Sequence, residues 1–209
     1  KSLSDHSVEA YLHDIDKLTS YLLVSGIDKN PSQLDLKDLE KFLVWINGLG
    51  MTATSQARII SGLRSFYKYC LLEQIADKDP TMLLESPKLK RLLPDTLSFE
   101  EIEQIISAID LSQPEGVRNK AIFETMYSCG LRVSEVVGLR ISSLYLDVGF
   151  LKVIGKGDKQ RLVPIGGDAI KHINIYRDNV RLHMPAIKGQ EDILFLNRRG
   201  KGLSRVMIF

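Results

Sequence analysis

The sequence predicts two domains of different class, a small all-helical domain followed by an α+β domain. In residues 1–86 the apolar positions recur with a spacing near 3.6 and hardly any β-rich run occurs, whereas helical and β-like segments are mixed in residues 98–209. Residues 87–97 contain two prolines, three basic residues and no regular period, which is typical of a linker between domains. We therefore expect a helical domain at 1–86, a basic linker at 87–97 and an α+β domain at 98–209.

The helices of the first domain are predicted from apolar periodicity and from the residues that end them. Ser25-Gly26 and Asn47-Gly48 are helix stop signals, and the turn Asn30-Pro31-Ser32 separates two periodic segments. Proline suits the first turn of a helix, so a short helical piece is expected after Asp79-Pro80. The predicted helices are 8–23, 36–46, 54–72 and this short piece.

The second domain alternates between segments with helical periodicity and segments typical of β-strands. Ser98 and Glu101 have the spacing of a capping box and predict the start of a helix. Two β-like runs, "GFLKVIG" and "QRLVPI", are separated by "KGDK", which predicts a hairpin. Further helices are expected at 115–128 and 168–182, followed by the short apolar run "ILFL".

Composition excludes several classes of protein. The formal net charge is only +2, so bulk charge does not argue for a nucleic-acid partner. Two cysteines make a disulfide framework improbable, the four histidines lack metal-ligand spacing, and no apolar run is long enough to span a membrane. A cytoplasmic location is therefore the default. Because the chain starts at Lys1 and stops in an apolar run without a helix stop signal, we treat it as a fragment.

The helix at 54–72 carries a basic face. Its cations and small polar residues fall within an arc of about 120° on a helical wheel, opposite the apolar residues. No acidic residue occurs between Glu40 and Glu73, whereas a solvated face usually mixes both signs. The pattern suits a phosphate backbone, although a mildly basic solvent face remains the leading alternative. The face comprises Thr54, Ala57, Arg58, Ser61, Arg64, Ser65 and Lys68.

Arg132 lies in "YSCGLRVSEVVGL", where most neighbours are apolar or small. Gly130 can end the preceding helix, and Ser134-Glu135 suit the cap and first turn of the next. An arginine there would lie beside the outward-pointing amides of a helix N-terminus and bind an anion. Glu135 could hold the guanidinium in place. An Arg–Glu pair that merely ties two helices together is an equal alternative at this point.

Lys156 is flanked by Gly155 and Gly157 in "VIGKGDKQRLVP", at the tip of the predicted hairpin. A nucleotide-binding phosphate loop is excluded, because its glycine spacing and following helix are absent. By itself such a lysine is usually a solubilising turn residue. Lys159 and Arg161 follow it closely and favour a phosphate-facing role.

Together these motifs resemble the tyrosine recombinases. "YSCGLRVSEVVGLR" is followed by "GKGDKQRLVP", whose Lys156 lies 24 residues after Arg132, and then by "LFLNRRGKGLSR". Within the family, the resemblance is to Xer-type bacterial chromosome-dimer resolvases. The segments "SVEAYLHDIDKLTSYL" and "SQARIISGLRSFYKYCL" are similar to the family's SAM-like core-binding domain.

The resemblance implies an architecture and a reaction. It implies a C-shaped clamp around duplex DNA, assembled as a homo- or heterotetramer, and cleavage through a covalent 3′-phosphotyrosine without a metal or nucleotide cofactor. A protein of this kind would work in the cytoplasm on the nucleoid, in chromosome partition and cell division. Dependence on a DNA translocase is left open.

The resemblance also assigns roles to residues. It implies that Arg132 binds the non-bridging oxygens of the scissile phosphate, that Lys156 protonates the departing 5′-oxygen and that Glu135 supports the site. Our candidate DNA contacts, mostly to the backbone, are Thr54, Gln56, Arg58, Arg64, Lys68, Lys159, Arg161 and Arg205.

The sequence departs from the family pattern in one respect. The His-x-x-Arg motif, a later His or Trp and the nucleophilic tyrosine are not found in these 209 residues. Tyr127, Tyr145 and Tyr176 precede the missing motif, so none is the nucleophile by position. We expect this chain to bind DNA and not to cleave it. The alternatives are a mobile-element or phage integrase, a non-catalytic DNA-binding clamp, and a helical protein-interaction domain.

Overall fold

The computed structural model describes residues 5–89 and 94–208, and its side-chain description leaves out Asp5, His6 and Lys156. Residues 90–93 of the predicted linker therefore lie outside the described part. The chain folds into two compact units, Lys1–Pro94 and Asp95–Phe209.

The first unit contains the three long helices that the sequence predicts: α1 (Asp5–Val24), α2 (Leu36–Gly48) and α3 (Ala53–Leu72). Side-chain caps define where α2 and α3 begin. Asp35 accepts a hydrogen bond from the Asp38 backbone amide, and Thr52 accepts one from Ser55. The apolar faces enclose one core, whose buried residues include Leu18, Leu39, Phe42, Ile46, Ile59, Ile60, Leu63 and Tyr67.

The prediction of a short helical piece after Asp79-Pro80 is wrong, because residues 80–83 form a turn. The Asp79 carboxylate accepts hydrogen bonds from both the backbone amide and the hydroxyl of Thr81, at 2.8 and 2.6 Å. This local bonding by an aspartate side chain competes with helix formation. Leu84 then returns to the core of the unit.

The second unit combines helices with a small sheet and confirms the predicted α+β class. Its helices are α4 (Phe99–Ser107), α5 (Pro114–Cys129), α6 (Val133–Val137) and α7 (Gly167–Asn179). Its strands are β1 (Leu144–Tyr145), β2 (Phe150–Ile154) and β3 (Gln160–Pro164), which pair antiparallel in the order β1-β2-β3. The hairpin β2–β3 and the capping box of Ser98 and Glu101 are confirmed.

Two details of this unit differ from the sequence expectation. Strand β1 was not predicted, since two residues carry no periodic signal. Helix α7 ends at Asn179, and a separate 3₁₀ turn, Arg181–His183, follows it. The buried Arg181 guanidinium donates to the backbone carbonyls of Ile193 and Glu191, which anchors this turn to the core.

Candidate active site and nucleic-acid interface

Arg132 stands at the junction of α5 and α6. Helix α5 ends at Cys129 and is capped by Gly130, whose φ of 58° is the left-handed conformation that favours glycine. Arg132 itself occupies the cap position of α6, which corrects the expectation that Ser134 and Glu135 begin that helix. Because α6 has only five residues, the positive charge here comes mainly from the guanidinium of Arg132, whose side chain is 76% exposed.

Glu135 is buried beneath this junction and accepts four hydrogen bonds from two arginines. Arg161 donates from Nη1 to Oε1 at 2.8 Å and from Nη2 to Oε2 at 3.0 Å. Arg132 donates its backbone amide to Oε2 at 2.9 Å and its Nη1 to Oε1 at 3.3 Å. The Arg161 hydrogen bond is the main reason that the pKa of Glu135 is lowered to about 2. The carboxylate is therefore ionised at neutral pH.

Arg161 has a different environment from the one that the sequence suggests. It lies on β3 opposite Val153, and the structure places its guanidinium on Glu135 rather than leaving it unpaired for DNA. The pairing with Glu135 raises the pKa of Arg161. These two residues are 26 positions apart, so no helical or strand spacing signals their contact.

The structure brings several cations to Arg132. A cleft of about 380 Å³ is lined by Arg132, Glu135, Arg140, Lys152 and Gly155, among others. A second cleft of about 390 Å³ is lined by Arg132 and Arg205, two residues that the sequence analysis singled out separately. Sequence reasoning did not identify Arg140 or Lys152, because an isolated cation is an ordinary surface feature.

The hairpin tip has the backbone that its glycines predict. Residues 156–158 form a tight, kinked turn in which Gly157 has a φ of 72°. Lys159 is exposed beside the turn. The side chain of Lys156 lies outside the described part, so its catalytic role remains a prediction.

The basic face of α3 is present, and part of it is engaged within the unit. Arg58 makes a two-pronged ion pair with the buried Asp14, and Arg64 donates to the backbone carbonyl of Leu84 at 2.7 Å. Gln56 donates to the side chain of Asn47 and the backbone of Met51. Within the described ranges, the side chains of Thr54 and Lys68 are exposed and make no hydrogen bond or ion pair.

Family models match both units. The phage integrase family matches residues 95–208, and the N-terminal SAM-like domain of phage integrases matches residues 1–74. Tyrosine recombinase XerD of Listeria innocua is 36% identical over 205 residues, which cover 98% of this chain and 69% of the relative. Tyrosine recombinase XerD of Staphylococcus aureus is 37% identical over 212 residues, covering 100% of this chain and 70% of the relative.

Solved structures share the fold. The XerH recombinase bound to a palindromic difH substrate matches with a TM-score of 0.75 and 21% identity over 96% of this chain and 59% of that one. A lambda integrase (75–356) dimer bound to a COC′ core site matches with a TM-score of 0.70 and 17% identity, covering 99% of this chain and 71% of that one.

The chain belongs to the phage integrase family. It is a tyrosine-type site-specific DNA recombinase, and the identification made from its motifs is confirmed. In the part of the chain that the structure describes, no helix is long and apolar enough to cross a membrane. Among those same residues, no group of three or more histidine, cysteine or acidic side chains is arranged to hold a metal ion.

Proposed function

We propose that Arg132 binds the scissile phosphate of a recombination site on duplex DNA. The observation that carries this proposal is the charge balance at Glu135, where one buried carboxylate is shared by two arginines. The cluster therefore keeps a net positive charge, and the more exposed of its two arginine side chains is that of Arg132. A fork of donors held in this way suits two phosphate oxygens.

The reaction gives this cation a catalytic role. A tyrosine hydroxyl attacks phosphorus, a 3′-phosphotyrosine bond forms, and the bond to the 5′-oxygen breaks. Charge on the non-bridging oxygens grows as the nucleophile approaches, so a guanidinium positioned in advance stabilises the transition state more than the ground state. We propose that Lys156 donates a proton to the departing 5′-oxygen. The Glu135 carboxylate orients Arg132 by accepting hydrogen bonds from the backbone amide and the guanidinium of Arg132.

The proposed DNA contacts differ in what each would require. Contacts from Thr54, Lys68, Lys159 and Arg205 need no change of partner within the described residues. Contacts from Gln56, Arg58 and Arg64 require each side chain to share or exchange the partner that it has now. Arg161 would have to leave Glu135.

The relatives and structural neighbours support a more specific proposal. The XerD relatives favour resolution of chromosome dimers as the biological reaction. Neighbours of the same fold include a lambda integrase tetramer bound to a Holliday junction. We therefore propose that this protein acts in the cytoplasm, on nucleoid DNA, together with further recombinase protomers, identical or not. A DNA translocase is a candidate partner. We also propose that the protein is divided into a helical domain at 1–86, a linker at 87–97 and a catalytic domain at 98–209.

A suicide substrate tests the chemistry. Duplex DNA with a nick beside the cleavage position should trap a covalent protein–DNA adduct with the complete gene product. Arg132→Ala should form none. The 209-residue polypeptide should bind the same duplex without forming an adduct. Failure of the complete gene product to form an adduct on any site recovered by selection from random duplexes would refute the proposal.

A further inference from the structure

Arg161 and Arg132 compete for one buried carboxylate. We propose that Arg161 is a positioning residue, which occupies Glu135 so that the guanidinium of Arg132 remains available to the scissile phosphate. This inference rests on the proposed function of Arg132. It replaces the DNA-contact role that the sequence suggested for Arg161.

The distances show which arginine satisfies the carboxylate. Arg161 makes two hydrogen bonds to it through the guanidinium fork, at 2.8 and 3.0 Å, whereas the Arg132 guanidinium makes a single contact at 3.3 Å. Removing one partner of a buried ion pair strongly destabilises the fold, because a charge is left buried without compensation. The carboxylate should therefore form an ion pair with the nearest remaining cation. Without Arg161 that cation is Arg132, since its Nη1 is already within reach. The guanidinium would then be neutralised by Glu135 and withdrawn from the phosphate.

The hairpin is built to admit this ion pair. A Cβ added at Gly155 would lie 3.1 Å from Arg161 Nη1 and 3.4 Å from Glu135 Oε1, so the absence of a side chain lets the backbone immediately after β2 pass close to the ion pair. Lys156 follows Gly155 directly in the chain. Through Glu135, the same ion pair joins β3, the strand that follows the Lys156 turn, to the junction that carries Arg132.

Substitutions that separate charge from geometry distinguish this role from DNA contact. Lysine keeps the positive charge at position 161 and would preserve a backbone phosphate contact, but it cannot reproduce the two-pronged hydrogen bond. Arg161→Gln removes the charge, so that Arg132 is the arginine that remains to pair with Glu135. The double variant Arg161→Gln/Glu135→Gln removes the competing carboxylate together with its partner. Lys171→Gln, which removes an exposed cation on α7, is the charge-matched control.

The first measurement is the single-turnover cleavage rate and the DNA dissociation constant of the complete gene product. We expect Arg161→Lys to slow cleavage about tenfold with a dissociation constant within about twofold of wild type. Arg161→Gln should be slower still, the double variant faster than Arg161→Gln, and Lys171→Gln unchanged. Wild-type cleavage by Arg161→Lys, or a double variant no faster than Arg161→Gln, would overturn the inference.

A chemically altered substrate tests whether Arg161 acts through Arg132. A neutral methylphosphonate at the scissile position removes the charge that Arg132 would bind. The rate defects of Arg132→Ala and Arg161→Lys should therefore both shrink on this substrate. A defect of Arg161→Lys that is equal on both substrates would indicate a purely structural role and count against the proposal.

A third measurement does not depend on cleavage. In ¹⁵N NMR spectra of the 209-residue chain, the Arg132 side chain should be more ordered in Arg161→Gln than in wild type, and no more ordered than in wild type in the double variant. An Arg132 signal that is the same in all three proteins would overturn the inference even if cleavage is observed. Absence of cleavage by wild type, with the expected NMR change, would instead count against the proposed function alone. Melting temperatures of all variants identify any that fail to fold.

Discussion

Asp14 on α1 and Arg58 on α3 form a two-pronged ion pair, with N–O distances of 2.9 and 2.5 Å. The Asp14 side chain is almost completely buried, whereas the Arg58 side chain is half exposed. The pair therefore ties α1 to α3 on the face that the sequence marks as basic. Part of that face stabilises the helical unit and part of it, represented by Lys68, is unpaired within the described residues.

Gly62 is the residue that leaves room for Asp14. A Cβ at position 62 would lie 2.4 Å from Asp14 Oδ2. Gly62→Ala should therefore displace the buried carboxylate and destabilise the helical unit by roughly 1–3 kcal/mol, as overpacking of a core does. Denaturant unfolding measures this loss. Gly48→Ala is the matched control, since nothing lies within 4 Å of the added Cβ, and it should be neutral or slightly stabilising. Equal stability of the two variants would contradict the packing argument.

Arg58 and Lys68 should respond differently to the loss of their charge. Lys68→Gln should leave the melting temperature unchanged and reduce the salt dependence of DNA binding by about one phosphate contact, a change of about 0.9 in the slope of log K against log salt. Arg58→Gln leaves Asp14 buried without its partner, so the melting temperature should fall. Thermal melts and DNA titrations at several salt concentrations check both. A Lys68→Gln protein with an unchanged salt slope would remove Lys68 from the DNA interface.

The stability of the second unit should depend on pH through Glu135. Its pKa is about 2 in the folded chain, below the ordinary value of 4.5, so the ionised carboxylate stabilises the fold above about pH 4.5. That contribution is lost as the pH falls from about 4.5 towards 2, because the unfolded chain binds the proton first. The free energy of unfolding, measured by denaturant at several pH values, should fall more steeply there in wild type than in Glu135→Gln. Parallel curves would show that Glu135 is not the titrating group.

Arg132→Ala should separate binding from catalysis. One phosphate contact among several contributes little to total affinity, so the dissociation constant for duplex DNA should change by less than about tenfold. Adduct formation on a suicide substrate by the complete gene product should be abolished, because the proposed role of Arg132 is to stabilise the transition state. Gel-shift titration and denaturing electrophoresis measure the two effects. A parallel loss of both would assign Arg132 to binding alone.

Local patterns predicted most of the secondary structure. The periodicity of α1 to α3, the capping box at Ser98 and the glycines around Lys156 each act over a few residues, so they can be identified in the sequence. The turn after Asp79-Pro80 was mispredicted, because the aspartate side chain bonds to Thr81 and the proline alone does not continue a helix. Strand β1 was missed, since two residues are too few to show a period.

The sequence by itself determined the family, the two domain classes and the residue types at Arg132, Glu135 and Lys156, since these depend on motifs of contiguous residues. Only the tertiary structure decided which cations are paired. Arg58 reaches Asp14 across 44 positions and Arg161 reaches Glu135 across 26, and in both cases the partner is an acid buried by packing of separate elements. Burial makes such a carboxylate require a partner, and which arginine can reach it depends on how the helices and strands pack.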